Sequence, residues 1–447
     1  MKRNFTLASI YSLAWLALAS QITVMSISFI DLLFIGQLGG AAVIIAAAAI
    51  ANNICAAVYA FLEGIRTGTT VLVARFFGAK QPQSVTKTIN LALLLAIVIG
   101  CLILPVIPII SSLTFKTINN GELVSTGVPY LTIRLMGLPF HLIIFAVIGL
   151  FRGLKNAVFP FLITMTICLS DVLLNYVFMY GKWGFPALGI KGIALATLIT
   201  YIIGSILSIL LLITIPLTKK YLNLKNILKF DRPIFKTFMK VGGEVGLYAG
   251  SLIFALLLFV LLFTKQGPNV MAAHQIVFQV FLATYLPPTG FFVAATILIG
   301  KAIGEKQYDF VIPATKKIFF ASLPFVGGIS LAVSLFAKQI AQFFSPANSV
   351  VVTLAVPSIY LICITQLFSS SYLILKGTLT AARDTRFVFI AGTLSSYLFF
   401  LPLAYLLGIK MGYGIFGGYV SFLLWTVLDS IVFGWRLFVT KPINSSS

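Results

Sequence analysis

Asp31 is the single charge in an apolar run that begins near Phe5 and closes in the stretch SFIDLLFIGQLGG, residues 28–40. A helix crosses the hydrocarbon layer in about 20 residues, so this run spans a bilayer from Ala8 onward. With Gln37 as the outer end, Asp31 lies about 9 Å inside it at about 1.5 Å per residue. An ionised carboxylate at that depth is costly, so it faces a cavity or a partner. In a later run Asp171 and Asn175 are four apart and share one helix face. They lie about 15 and 9 Å inside an outer end at Gly181, on the same rise per residue. Thr197, shortly after Gly192 opens the next run, comes to a comparable depth. Two carboxylates, an amide and a hydroxyl in one low-dielectric place suit proton uptake and release. The oxygens of Asp31, Asp171 and Asn175 would equally suit a sodium ion. The same four residues would also serve as a purely structural hydrogen-bond network between helices.

Four further residues form a second tier, as gate candidates. Glu63 and Arg66, three apart near the end of the second run, can pair with each other or close an inner gate. Arg134, in the fourth run, either neutralises a buried carboxylate or snorkels outward. His141 follows Pro139-Phe140, where a bent helix would expose it or packing would enclose it. Asn52 and Asn53 in the second run could join the first-half network but are not counted among the candidates. Glu244 is expected to open the seventh helix, and Asp429 to meet a Lys or Arg near the inner rim.

The elements that position these residues follow from composition. The 447 residues are 60% hydrophobic and only 9% charged, with mean hydropathy +1.08, which excludes an ordinary soluble protein. Hydropathy gives twelve segments of spanning length, hence an all-α membrane protein. The amino-terminal run is too long for a cleaved leader and is read as a retained first helix. The net charge of +21 comes from bases spread through short loops, without a basic domain, so nucleic acid is not an expected partner. With the amino terminus in the cytoplasm, 23 of the 31 basic residues fall on the inner side and six on the outer. This asymmetry places both termini in the cytoplasm. The four Cys and two His lie apart in separate runs, with no metal-ligand spacing, so no fixed metal or other cofactor is expected.

The two halves resemble each other. VARFFGAKQ at 73–81 returns as IGKAIGEKQ at 299–307, and Gly192 returns as Gly418, both at an offset of 226; Arg152-Gly153 returns as Lys376-Gly377 at 224. Six spans lie between matched elements, so the repeats share one topology. The expected organisation is a six-helix lobe at 1–217, a basic cytoplasmic linker at 218–237 and a second six-helix lobe at 238–447. The stretch from Thr218 to Lys240 suits an amphipathic interfacial segment, with Leu222, Ile227, Leu228 and Phe230 toward lipid. Asp31 corresponds to Leu257, so the polar machinery is confined to the first half.

Several stretches carry a resemblance beyond hydropathy: DLLFIGQLGG, TGTTVLVARFFGAKQ, FRGLKNAVFP, LGIKGIALAT, AAHQI at 272–276 and AATILIGKAIGEKQ at 294–307. Together they are similar to the MATE (multidrug and toxic compound extrusion) family, over nearly the whole chain. The resemblance implies twelve helices in two pseudo-symmetric lobes and no enzymatic activity. It implies antiport of organic cations, drugs and other amphiphilic compounds against protons, or sodium; the short loops and an amino terminus without a transit pattern suggest a bacterial or archaeal inner membrane. Asp31 matches the family's first-helix aspartate and Thr197 its A-A-x-A-T threonine. Asp171-Val-Leu-Leu-Asn175 keeps the inventory of the fifth-helix Asn-x-x-x-Asp pattern with the two residues exchanged. These matches resemble the first-lobe cation site of the DinF-like branch. The chain departs from other branches in having no carboxylate deep in the seventh helix, serines 369–371 where some members carry an aspartate, and no proline around Leu16. A lipid-linked oligosaccharide flippase of the same superfamily is the alternative, but it calls for a strongly cationic cleft. A membrane-embedded transferase would need a catalytic constellation that the sequence does not contain. Partners are then small amphiphilic or cationic molecules and the bilayer, with the monomer as the working unit.

Overall fold

The computed structural model describes residues 6–36, 41–116, 120–221, 231–346 and 348–440. Among them are twelve helices long and apolar enough to cross a membrane, as hydropathy expects. They are α1 Leu7–Gly36, α2 Ala41–Gly78, α3 Pro82–Phe115, α4 Gly121–Gly153, α5 Val158–Tyr180 and α6 Ile190–Thr214. The second half supplies α7 Arg232–Gln266, α8 Pro268–Gly304, α9 Tyr308–Leu335, α10 Ser349–Ala381, α11 Thr385–Lys410 and α12 Gly414–Phe438. By its contacts the chain divides into two compact units: Ala19–Gly246, and Met1–Leu18 with Leu247–Ser447. The borders fall inside α1 and α7, not within residues 218–237.

In the unit Ala19–Gly246, α2 packs along α4, α4 against α3 and α6, and α5 against α6. One core cluster joins Leu72, Val73, Ile89, Leu142, Ala146, Phe151 and Ile163; another joins Ala48, Ala51, Tyr130, Leu131, Leu135, Ile193 and Ala194. Lipid tails offer no hydrophobic drive between spans, so close backbone approach does more of the work. Gly64 of α2 faces Gly242 of α7 so closely that a Cβ on Gly64 would lie 2.0 Å from the Gly242 carbonyl oxygen. Gly246 meets Phe61 O in the same way, at 2.2 Å. One break matters for the site. α4 is made of two pieces, Gly121–Met136 and Leu138–Gly153, with Pro139 in the first turn of the second. A proline there needs no N–H of its own, and the break leaves Arg134 in the last turn of the first piece.

The start of α7 departs from expectation. Asp231 accepts a hydrogen bond from the Ile234 N–H at 3.1 Å and Pro233 sits in the first turn, so the helix begins at Arg232. Glu244 consequently lies three turns inside α7 instead of opening it. Lys87 reaches the same Asp231 carboxylate at 2.8 Å. The expected amphipathic face at Leu222, Ile227, Leu228 and Phe230 lies outside the described residues.

In the other unit α10 packs against α8, α9 and α12. Its core is aromatic: Phe259, Phe263, Phe400, Tyr419, Phe422 and Trp425 cluster together, with Phe400 stacked on Trp425 at 5.1 Å. α11 widens into π turns at Ser395–Phe400 and Leu406–Lys410, on either side of Pro402. Proline removes a backbone donor and crowds the preceding turn, and the wider turns accommodate it.

The repeat is visible in the backbone. α2, α4, α8 and α10 all end in a turn whose basic residue has positive φ: Lys80 at 55°, Lys155 at 62°, Lys306 at 60° and Arg383 at 65°. In each turn the following N–H closes back onto the helix: Gln81 to Phe76 O, Asn156 to Phe151 O, Gln307 to Ala302 O and Asp384 to Leu379 O, all at 2.9–3.0 Å. This is the glycine-type helix stop built with Lys or Arg in its place.

Candidate functional site

The polar residues of the first half converge within the unit Ala19–Gly246. Asp31 on α1 is fully buried, in an unbroken helix without a proline. Asp171 and Asn175, one turn apart on α5, are also fully buried, and Thr197 on α6 is 1% exposed. Asn175 joins the two acids. Its Nδ2 donates one hydrogen to Asp31 Oδ1 at 2.8 Å and the other to Asp171 Oδ2, also at 2.8 Å. The i, i+4 spacing on α5 makes this bridge possible.

Arg134 supplies the fourth side of the site. Its Nη1 donates to Asp31 Oδ2 at 2.6 Å, to Thr197 Oγ1 at 3.2 Å and to the Tyr130 hydroxyl at 3.3 Å. Tyr130 lies one turn earlier on α4, its ring 5.7 Å from the guanidinium carbon, and its hydroxyl donates to Asn52 Oδ1 at 3.5 Å. Of the two readings of Arg134, the structure shows the neutralising one. Thr197 therefore reaches Asp31 through Arg134, not directly. Asn52 joins the network through Tyr130.

The charges do not balance. Two carboxylates stand against one guanidinium, and the guanidinium is committed to Asp31. Asp171 Oδ1 and Asn175 Oδ1, both buried, have no hydrogen-bond partner. An unpartnered carboxylate oxygen in such a place is expensive, and the cheapest remedy is a proton or a small cation. Oxygen donors of this kind fit a proton directly and offer part of a shell for a monovalent ion. Among the described residues no group of three or more His, Cys, Asp and Glu is placed to hold a metal ion.

The remaining candidates stand elsewhere. Glu63 accepts from Arg66 Nε at 2.7 Å and from Thr67 at 3.3 Å, a local pair on α2, with Arg66 also over the Phe145 ring. His141 stacks on Tyr59 with centroids 4.8 Å apart and meets Tyr201 and Phe145 edge-on. Among the described residues none of the three hydrogen-bonds to Asp31. In the other unit Asp429 is 1% exposed, and both its carboxylate oxygens lack a hydrogen-bond partner. Of the bases expected near it, Arg436 of the same helix pairs with Asp384 at 2.7 Å, while Lys376 of α10 faces Asp429. Sequence reasoning ranked Arg134 in a second tier, with neutralisation of a buried carboxylate as one of its two readings, and overlooked Tyr130. The signal available was the spacing Tyr130-x-x-x-Arg134, which puts both on one face.

A family model described as MatE matches this chain twice, over residues 17–177 and 250–406, one match in each half. Among curated proteins, the chain is 27% identical to a probable multidrug resistance protein NorM of Rhodopseudomonas palustris, over 95% of this chain and 90% of that protein. It is 25% identical to the multidrug resistance protein NorM of Vibrio cholerae serotype O1, over 96% and 95%. Among solved structures, an outward-facing multidrug resistance MATE family transporter of the MOP superfamily superposes with a TM-score of 0.88 at 19% identity, covering 99% of this chain and 96% of that one. That likeness carries the fold.

Proposed function

We propose a function from one premise: this chain belongs to the MatE family, and it is accordingly a multi-pass membrane transporter and not an enzyme. The reading is a secondary antiporter that exports organic cations, drugs and other amphiphilic compounds in exchange for a proton, with both termini cytoplasmic. One chain contains both repeats, so a single copy suffices.

The observation that carries the coupling is the unbalanced charge of the first-half site. Asp31 is held by Arg134 and by one hydrogen of Asn175, so its charge is already met. Asp171 has a donor on one oxygen only, and its Oδ1 is the atom left to receive the proton. Asn175 Oδ1, equally unpartnered, stands one turn away on the same helix face. A sodium ion would use these two oxygens as well. Arg134 and Asn175 act as positioning residues: they fix Asp31 and present the open oxygen of Asp171. Protonation removes the surplus negative charge, and each conformation of the carrier then has a different affinity for the ion. Coupling follows only if ion and substrate prefer opposite conformations, whatever their absolute affinities.

The test is uptake of a fluorescent organic cation by liposomes containing the purified protein, under an imposed pH gradient or an imposed sodium gradient. The proposal expects transport driven by the pH gradient and lost in Asp171→Asn. Transport driven by sodium alone would replace the ion and keep the site. Undiminished transport by Asp171→Asn would overturn the assignment. The flippase alternative loses support because the buried Arg134 is bound to Asp31 and is not offered to an anionic headgroup.

A further inference from the structure

The second half has its own acid. Asp429 stands two-thirds of the way along α12 and is 1% exposed. The indole and hydroxyl donors beside it bond to other acceptors. Trp425, one turn earlier, donates its indole N–H to Ser395 Oγ at 3.0 Å, and Ser395 donates in turn to Gly392 O at 3.0 Å. The hydroxyls of Tyr248 on α7 and Tyr372 on α10 bond to each other at 2.5 Å. The Lys376 ammonium lies 4.3 Å from the centroid of the Tyr248 ring, with Phe292 at 5.5 Å and Tyr372 at 5.8 Å. The charged and titratable groups that face Asp429 are thus Tyr248 from α7 and Tyr372 and Lys376 from α10. α11 brings only the Ser395 hydroxyl, and Arg436 further along α12 is engaged with Asp384.

An ionised carboxylate whose two oxygens accept no hydrogen bond, buried in a helix bundle, is not a state a folded protein keeps. A metal ion would require a ring of oxygens around it, whereas a proton needs no added space. We propose that Asp429 carries a proton in this conformation and is a second proton-carrying group of the transport cycle, in the unit that lacks a counterpart of Asp31. The O–H bond breaks when hydration reaches this face of α12: the proton passes to water, and the carboxylate left behind is met by the Lys376 ammonium. The bound proton stands on the geometry of α12 and its neighbours. Its use in coupling rests on the antiport reading above.

Infrared spectroscopy of the full chain in lipid nanodiscs, titrated with pH, reads protonated carboxyls directly through their C=O band. The wild type is expected to show a band that is lost in Asp429→Asn and kept in Asp171→Asn. Unchanged bands in Asp429→Asn would overturn the proton. Should Asp429→Asn not fold, Asp429→Glu decides: the band is expected to persist at a shifted frequency, and an unshifted band overturns the assignment. The coupling is read separately, as the proton-to-substrate ratio from reversal potentials in liposomes. Asp429→Asn is expected to lower the ratio by one proton; an unchanged ratio with the band present would leave the proton bound but overturn its role in the cycle. If the wild type moves no substrate on any gradient, the antiport reading and with it the coupling role fall, while the infrared result still decides the proton.

Discussion

The guanidinium of Arg134 on α4 lies 2.6 Å from the carboxylate of Asp31 on α1, with both side chains almost wholly out of reach of solvent. The acid that the sequence singles out first is therefore already neutralised, whereas Asp171 keeps one oxygen without a hydrogen-bond partner. Removing one member of such a pair strands the other. Arg134→Met is expected to destabilise the protein by about 3–5 kcal/mol, read as thermal unfolding in detergent. Adding Asp31→Asn to Arg134→Met should recover most of that loss, giving a strong coupling in the double-mutant cycle. Additive losses would mean that the pair does not interact.

Asp171→Asn keeps the shape of the side chain and still offers an oxygen to Asn175. It is expected to fold and melt like the wild type while pH-driven uptake falls at least tenfold. Asp31→Asn, by contrast, leaves Arg134 unpaired, so it should lose both stability and transport. Uptake and melting temperature measured side by side separate the two.

The twelve spans, the duplication and the pairing of Asp171 with Asn175 were legible because each is a matter of position along the chain: length of an apolar run, offset between repeats, spacing of four. Which of its two roles Arg134 takes was not, because depth in a span says nothing of which way a side chain turns. The break at Gly137 also divides α4 and interrupts the phase that would relate its two pieces. Glu244 was misplaced for a local reason. A capping aspartate and a proline at 231–233 start α7 earlier than hydropathy does, since Arg232, Lys236 and Lys240 in its first turns mask the helix.

The crossing of α2 and α7 gives a steric prediction. Gly64→Ala would put a methyl group 2.0 Å from the Gly242 carbonyl oxygen, with backbone on both sides and nothing to swing away. Overpacking of this kind is expected to cost about 1–3 kcal/mol or more. Gly243→Ala is the control, since its Cβ would meet only the end of Met239 at 3.7 Å, and it should melt with the wild type.

At the start of α7, the hydrogen bond from Lys87 and then that from the Ile234 N–H hold the Asp231 carboxyl below its usual range. Its pKa in the folded state is lower than in the unfolded chain. The resulting stability is full above the ordinary carboxylate range, about 3.9, and is lost as pH falls through the lowered folded value. Lys87→Gln removes the largest cause and keeps the cap. Its melting temperature should fall less steeply than that of the wild type on acidification from neutral pH to below 3.9.

Lys80 and Lys306 occupy backbone conformations that a side chain pays about 1–2 kcal/mol to adopt and glycine adopts freely. Lys80→Gly and Lys306→Gly are each expected to raise thermal stability, by at most that amount, with transport unchanged.

Those strained turns bear on how the chain is made. Within either half, two spans separate the two basic turns, so both face the same side of the membrane. Each half thus carries two positive charges fixed at the very point where a span ends and the next must reverse. Such charges act while the nascent chain is still being threaded by the insertion machinery, before any packing exists to correct an error. A half emerging from the ribosome has its own pair of orientation marks and does not inherit its direction from the other. Synthesised as two separate polypeptides, the halves would each be delivered to the bilayer the right way up, and assembly could follow insertion instead of guiding it.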